Sequence, residues 1–226
     1  MTKRPAKRTA PTIVEEKGVF SIPSLESNGG NPVESHSRRF MESIAHEFLD
    51  KGKLDAHDFG PYSIYSTYRD SIAGEPFVNE VLVNQLIDTD HVQVESDCGC
   101  VWSMASEHLG PAYLELCGQL GVFEAANPYS VIYRESLERH LESIPDYEKT
   151  VFCLLNGMFR VPISVAMLFL NEALSLNDLH SYMEQPMTTG SQITEATRGR
   201  SFGHHMNPDI EHIGAFLDHM RQAESI

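Results

Sequence analysis

The sequence predicts an all-α fold, and three observations support that prediction. Apolar residues recur at helical spacing from Pro32 onward, for example at Phe40 and Ile44. Residues typical of helix ends stand at the edges of these segments, as Gly121 does. No stretch shows a convincing alternation of apolar and polar residues, which a half-buried strand would need. We therefore expect a single all-α domain over residues 32–226, built from about eight to ten helices.

The predicted helices can be placed one after another along the chain. The first runs from Pro32, which follows an asparagine cap, to Asp50. The last runs from about His205 to Ala223 and has Pro208 in its first turn, where proline is tolerated because its missing N–H would be unpaired anyway. Between them, the same periodicity predicts helices over residues 59–72, 76–90, 107–120, 130–144, 147–159, 162–174 and 176–183.

Two segments are predicted to lie outside these helices. Residues 1–31 mix Lys, Arg, Pro, Ser and Gly, and this composition predicts a flexible N-terminal tail. Residues 185–203 form a long polar connection immediately before the last helix. Loops of that length are uncommon in a compact domain, so two interpretations stay open for it, a lid over a site and a plain linker.

Charge and cysteine content restrict the partners and the compartment. The formal net charge of −15 disfavours nucleic acid and anionic membrane surfaces as partners, and it favours cations and neutral or cationic small molecules. No stretch approaches the roughly 18 apolar residues of a membrane span, so no membrane partner is expected. The chain has only four cysteines, and no apolar leader precedes them. We therefore expect a cytoplasmic protein with reduced thiols.

Three residues near the C-terminus have the spacing and chemistry of metal ligands. On a helix, His205, Asp209 and His212 fall within roughly 60° of one another, so that two imidazoles and a carboxylate would face one point. Such a set suits a non-haem Fe(II) ion that keeps open coordination positions. The alternative is a solvated helix N-terminus, where Asp209 and Glu211 favour the helix dipole without any metal.

A second segment with chemical character begins at Glu95. It is acidic and contains a Cys-Gly-Cys turn, it reaches His108, and it continues as an apolar helix that closes on Leu-Gly. Together with the His-x-x-x-Asp-x-x-His motif and the Val161-Pro162 pair, this segment resembles the haem-oxygenase-like diiron oxidase and oxygenase superfamily. That family includes the chlamydial enzyme that forms para-aminobenzoate. The resemblance extends loosely over residues 40–217 and implies a haem-oxygenase-like helical bundle.

The resemblance also implies a metal centre. A further carboxylate is expected before the first histidine, for which Glu95 is the first choice and Asp90 the alternative. The bridging glutamate usual in the family has no counterpart here, because Met158 lies in the corresponding window, and this favours one firmly held Fe(II) ion over two. The ligands that the resemblance implies are His108, His205, Asp209 and His212.

The activity implied by the resemblance is a non-haem iron, O₂-dependent oxidase or oxygenase. Its substrate would be a small amine or an amino-acid-like metabolite, its role biosynthetic, and the family also allows a homodimer. Tyr65 and Arg160 are the residues that we expect to assist catalysis. Both have alternatives: Tyr65 lies in a tyrosine series that also suits an aromatic packing stripe, and Arg160 could pair with a substrate carboxylate, bond to a neighbouring helix or reach solvent.

Two rival hypotheses remain. The first is a metal-free or non-catalytic binding protein of the same fold, which Met158 and the long spacing between Glu95 and His108 favour. The second is a hydrolase with Cys117 or Cys153 as nucleophile, although both cysteines lie in apolar helical patterns that indicate burial.

Overall fold

A computed structural model describes residues 9–55, 57–89, 131–159, 161, 163–184 and 208–224. The chain divides into two compact units, residues 1–73 with 211–226 and residues 74–210. The described residues form three strands, eight α-helices and one π-helical turn. The elements are β1 (Val14–Glu16), β2 (Val19–Glu26), β3 (Pro32–Ser35), α1 (Arg38–Lys51), α2 (Pro61–Thr67), the π-helical turn (Tyr68–Ile72), α3 (Val78–Thr89), α4 (Val131–Ser143), α5 (Asp146–Phe159), α6 (Ile163–Leu170), α7 (Leu176–Glu184) and α8 (Pro208–Glu224).

The first unit opens with a three-stranded antiparallel sheet in the order β1-β2-β3. Lys17 and Gly18 connect β1 to β2, and both have left-handed backbone angles, with φ of 52° and 78°. Two consecutive residues of this kind make the tight hairpin turn whose twist matches that of the strands. Ile22 and Val33 are buried, and strands β2 and β3 contact α1.

The prediction of an all-α fold is wrong because of this sheet. The strands occupy residues 14–35, where composition had predicted a tail and the start of the first helix. They escape the sequence pattern because every residue of β1 is exposed and β2 buries a single position, Ile22, so that apolar and polar residues hardly alternate. The protein combines α-helices with an antiparallel sheet.

Helix α1 starts at Arg38, not at Pro32. Its N-cap is Ser37, whose side chain accepts a hydrogen bond from the backbone N–H of Phe40, and this contact satisfies one of the donors that every helix start leaves free. The proline that resembled a helix start is instead the first residue of an edge strand, a position that also tolerates proline. Gly52, in a left-handed conformation, ends the helix.

The core of the first unit is aromatic. The rings of Phe40 in α1 and Phe216 in α8 meet edge to face, with 5.0 Å between their centroids. Tyr65 and Tyr68 extend this cluster, at 6.2 Å from Phe40 and 6.0 Å from Phe216 respectively. α8 thus returns to this unit from the far end of the chain, and it packs beside the helices that follow the sheet.

The elements of the second unit in the described ranges are all helices. α3 contacts α4 and α5, and α5 to α7 follow one another in contact. Predicted helices over 147–159 and 176–183 form here as α5 and α7, whereas the one predicted over 107–120 lies outside the described residues. α6 ends at Leu170, earlier than expected, and the chain turns at Glu172 with a left-handed φ of 61°. The side chains that fill this core are Leu82, Val83, Leu137, Leu141, Val151, Phe152, Leu155, Val165, Met167 and Leu179.

None of the helices in the described ranges combines the length and apolar character that crossing a bilayer requires.

Candidate protein-binding surface

The predicted metal centre falls mostly outside the described residues. His212 is half-buried in α8, and Asp209 lies in the first turn of that helix, although its side chain is not among those described. In the part of the chain that the structure describes, no group of three or more His, Cys, Asp or Glu is placed to hold a metal ion. The ligand set and the Fe(II) ion therefore stay predictions. The other predicted residues, all outside the described ranges, are Glu95, His108, Arg160 and His205, with the alternative Asp90.

Met158 stands in the window where the resemblance expected a bridging glutamate. Its side chain lies near the end of α5 and is 37% exposed. The fully buried face of this helix is formed by other residues, among them Val151, Phe152 and Leu155. Position 158 therefore lies at the helix surface and not among these core residues.

Tyr65, the predicted catalytic residue in α2, joins the helix to the edge of the sheet. Its hydroxyl donates to the carbonyl oxygen of Pro32 at 2.8 Å and accepts the backbone N–H of Glu34 at 2.9 Å. Burial is the main cause that raises the pKa of Tyr65. Because β3 is an edge strand, the hydroxyl occupies two backbone groups that would otherwise be free to pair with another chain.

Tyr62, one turn earlier in α2, makes a similar bond to the neighbouring strand. Its hydroxyl donates to the carbonyl oxygen of Glu26 at 2.7 Å. The tyrosines therefore pack as an aromatic stripe would, and their hydroxyls also make hydrogen bonds. The rings pack inside the unit, and the hydroxyls bind the backbone of β2 and β3.

Asp70 holds the turn between β2 and β3. Its carboxylate accepts hydrogen bonds from the Ser27 hydroxyl at 2.5 Å, the Gly29 backbone N–H at 2.7 Å and the Asn31 side-chain amide at 2.9 Å. Burial acts to raise the pKa of Asp70, but these three bonds outweigh it, and the pKa is lowered from its usual 3.8. A Cβ at Gly29 would lie 2.8 Å from the carboxyl carbon of Asp70, so glycine is needed there for this close approach.

A buried carboxylate, that of Glu47 in α1, secures the start of α2. It accepts the backbone N–H of Tyr62 at 2.8 Å and forms an ion pair with Lys51 at 2.8 Å. A negative charge at a helix N-terminus is stabilised by the free N–H groups there. Gly60 passes so close that a Cβ would lie 2.5 Å from an oxygen of Glu47.

His219 of α8 is also half-buried, and it belongs to the first unit. Its ring lies 6.5 Å from that of Phe40, and its Nδ1 is buried with no hydrogen-bond partner among the described residues. Burial is the main cause that lowers the pKa of His219, and the charge of Arg39 adds to it, while Asp218 opposes. The ring packs beside that of Phe40 in the aromatic core of the unit.

Cys153 in α5, for which the apolar pattern predicts burial, is half-buried. Burial raises the pKa of the Cys153 thiol to about 11, so the thiolate that a nucleophile needs is scarce at neutral pH. The second candidate nucleophile, Cys117, lies outside the described residues.

The surface of the second unit carries an apolar pair on α3. Phe77, at the start of the helix, is 69% exposed and Val81 is 59% exposed. The carbonyl of Phe77 accepts the N–H of Val81 at 3.1 Å, so the two side chains are one helical turn apart and lie on one face. Leu82 and Val83 of α3 are buried in the core. We call Phe77 and Val81 the exposed apolar pair.

Sequence reasoning placed Val81 in the apolar pattern of a helix and did not separate it from the core. One signal could have done so. Apolar residues at positions 77, 78, 81, 82 and 83 surround more of the helix than a single buried stripe needs. A helix of this kind has two apolar faces, and the structure decides which of them is buried.

The chain is similar in fold to a solved structure, that of a mutant of P. denitrificans Atp12p. The two share 14% sequence identity with a TM-score of 0.59, and the match covers 97% of this chain and 96% of that chain. No protein-family model matches the chain, and no curated protein does either. At this level of identity the similarity establishes the fold.

The similarity to Atp12p overturns the resemblance to the haem-oxygenase-like superfamily, from which the function had been predicted. The haem-oxygenase-like superfamily is the wrong family, because its bundle is all-α whereas this fold opens with an antiparallel sheet. The iron-dependent oxidoreductase activity, with its oxygenase chemistry and small-molecule substrate, was implied by that resemblance and is wrong with it. The cytoplasmic location and the homodimer stay predictions.

Proposed function

We propose that this protein is a non-catalytic assembly chaperone that binds a protein partner, and that the partner is an unassembled ATP synthase subunit. One observation carries the proposal: the chain follows the fold of Atp12p over nearly its whole length. Atp12p is an ATP synthase assembly chaperone. Of the earlier hypotheses, the non-catalytic binding protein is the nearest to this proposal, although its haem-oxygenase-like fold is not.

The described surface supports a binding role. The exposed apolar pair on α3 costs solvation free energy in the isolated protein, and burial of each such side chain by a partner would contribute roughly 1.5–3 kcal/mol. Contiguous exposed apolar residues commonly mark protein-binding sites. The hydroxyls and carboxylates described in the first unit, by contrast, hold α2 and the π-helical turn to the β-strands and their connection, and hold α2 to α1.

The experiment is a solubility assay with purified components. Each ATP synthase subunit is unfolded in urea and diluted, alone or with this protein, and aggregation is followed by light scattering. We expect this protein to keep one subunit soluble and to co-elute with it in size-exclusion chromatography. The proposal fails if no subunit stays soluble or co-elutes with this protein. It also fails if an unrelated acidic protein of equal net charge keeps the subunits soluble equally well.

A further inference from the structure

We propose that the exposed apolar pair is a docking site for a basic amphipathic segment of the partner. Apolar residues of that segment would cover Phe77 and Val81, and its Lys or Arg residues would face Glu75 and Glu80. The inference rests on the proposed function, because it names the chemistry by which an unassembled subunit is held.

The position of the pair is the first argument. Phe77 directly precedes α3 and is joined to Val81, one turn later, by a backbone hydrogen bond; both side chains are exposed, while Leu82 and Val83 are buried in the core. The buried residues therefore hold α3 in place, and the exposed apolar pair is accessible to a partner without a conformational change. A preformed apolar face of this kind is the surface that an amphipathic helix recognises.

The charge around the pair is the second argument, and it selects the occupant. Glu75 lies two residues before Phe77 and Glu80 directly before Val81; both are exposed, and neither forms an ion pair with another described residue. Residues 70–84 contain three acidic residues, at positions 70, 75 and 80, and no Lys or Arg. An apolar face with carboxylates at its rim favours a segment whose apolar residues are bordered by cations.

The same charges disfavour the other occupants. In a symmetric dimer through this face, the carboxylates of one copy would meet those of the other, in a protein whose net charge is already −15. An anionic membrane would be repelled for the same reason. A neutral apolar segment would leave the rim carboxylates without partners, so a basic segment is the best match.

The test uses the full chain and a fluorescent peptide of about four helical turns, made of Leu and Lys in an amphipathic pattern. We expect measurable binding in fluorescence anisotropy that weakens as salt is added, and at least about tenfold weaker binding for the double variant Phe77→Ser/Val81→Ser. A control variant, Val14→Ser, removes an exposed apolar side chain from β1 and should bind as the wild type does. Equal binding by Phe77→Ser/Val81→Ser and wild type overturns the proposal.

Matched charge variants test the rim. Glu75→Gln/Glu80→Gln and Glu15→Gln/Glu16→Gln change the net charge equally, but the second pair lies on exposed strand β1. We expect the first to weaken peptide binding by about threefold to tenfold at low salt, and the second to have little effect. Equal effects would show that the peptide senses only the net charge, and would overturn the assigned site.

Three further measurements separate this proposal from its rivals and from the proposed function. Sedimentation that shows a dimer abolished by Phe77→Ser/Val81→Ser would assign the face to a second copy, and vesicle binding through it would assign it to phosphatidylserine membranes; either result overturns the proposal. If the same variant still keeps an ATP synthase subunit soluble, the docking site is wrong and the chaperone function stands. If the wild type binds the basic peptide through this face but no subunit, the docking site stands and the subunit assignment fails.

Discussion

The hydroxyl of Tyr65 is expected to hold the outer edge of the sheet, and Tyr65→Phe removes that hydroxyl alone. The ring remains to pack against Phe40, so apolar burial is nearly unchanged. Two backbone groups lose their partner, the carbonyl of Pro32 and the N–H of Glu34. The substitution therefore isolates the two hydrogen bonds from the packing of the ring.

The expected loss follows from the number of bonds. A hydrogen bond contributes about 1 kcal/mol net, so two together contribute about 2 kcal/mol to the free energy of unfolding. In a protein of this size, that loss lowers Tm by roughly 4–8 °C. Tyr62→Phe is the matched control, because it strips the partner from one strand carbonyl, that of Glu26, and should cost about half as much.

Hydrogen exchange locates the effect. The Glu34 amide donates to the lost hydroxyl, so its protection should fall by about thirtyfold, the equivalent of about 2 kcal/mol. The amide of Leu155, in the core of the second unit, should keep its protection if opening is local. A Glu34 amide as protected as in the wild type, or a stability loss for Tyr65→Phe no greater than for Tyr62→Phe, would refute the reasoning.

Three further predictions concern single residues. Gly60→Ala places a Cβ 2.5 Å from a Glu47 oxygen and should lower the free energy of unfolding by about 1–3 kcal/mol in urea titration; stability equal to wild type would contradict the packing. Hydrogen bonds outweigh burial and lower the pKa of Asp70 below 3.8, so ionised Asp70 stabilises the fold above that pH, and its contribution is lost as pH falls through the lower folded pKa. The difference in urea midpoint between wild type and Asp70→Asn should therefore shrink between about pH 5 and pH 2, and a constant difference would disprove this role. Because the pKa of Cys153 is raised to about 11, iodoacetamide should label it slowly in the folded protein and quickly in urea, as read by peptide mass spectrometry; rapid labelling of folded protein would count against burial.

The helices with one buried stripe could be predicted from the sequence. α5 is an example, because Val151, Phe152 and Leu155 repeat at helical spacing and all three are fully buried. Such elements are predictable because the periodicity of the helix and the periodicity of burial coincide.

The sheet could not be predicted in this way. β1 is exposed along its whole length, and the strands depend on contacts with side chains far along the chain, such as Tyr65 and Asp70. A strand stabilised from outside its own segment leaves little local pattern. The misplaced start of α1 has the same origin, because Pro32 suits a strand edge as well as a helix start.

The metal centre was predicted from the spacing of residues and from a family resemblance, and neither of these determines the fold. His212 does lie in a helix, as expected, but the similarity that extends over the chain is to Atp12p. The exposed apolar pair was missed for a related reason. The helical spacing assigns Val81 to an apolar pattern, but it does not show whether another part of the protein covers that side chain.

By itself, the sequence determined the positions of most described helices and the acidic balance of the chain, because these depend on local residue types. Only the tertiary structure decided that the N-terminal segment is a sheet, that Tyr65 and Asp70 secure it, and that Phe77 and Val81 face outward. Those three facts depend on contacts between residues distant in the chain, or on their absence in the described part of the chain, and no local pattern encodes them.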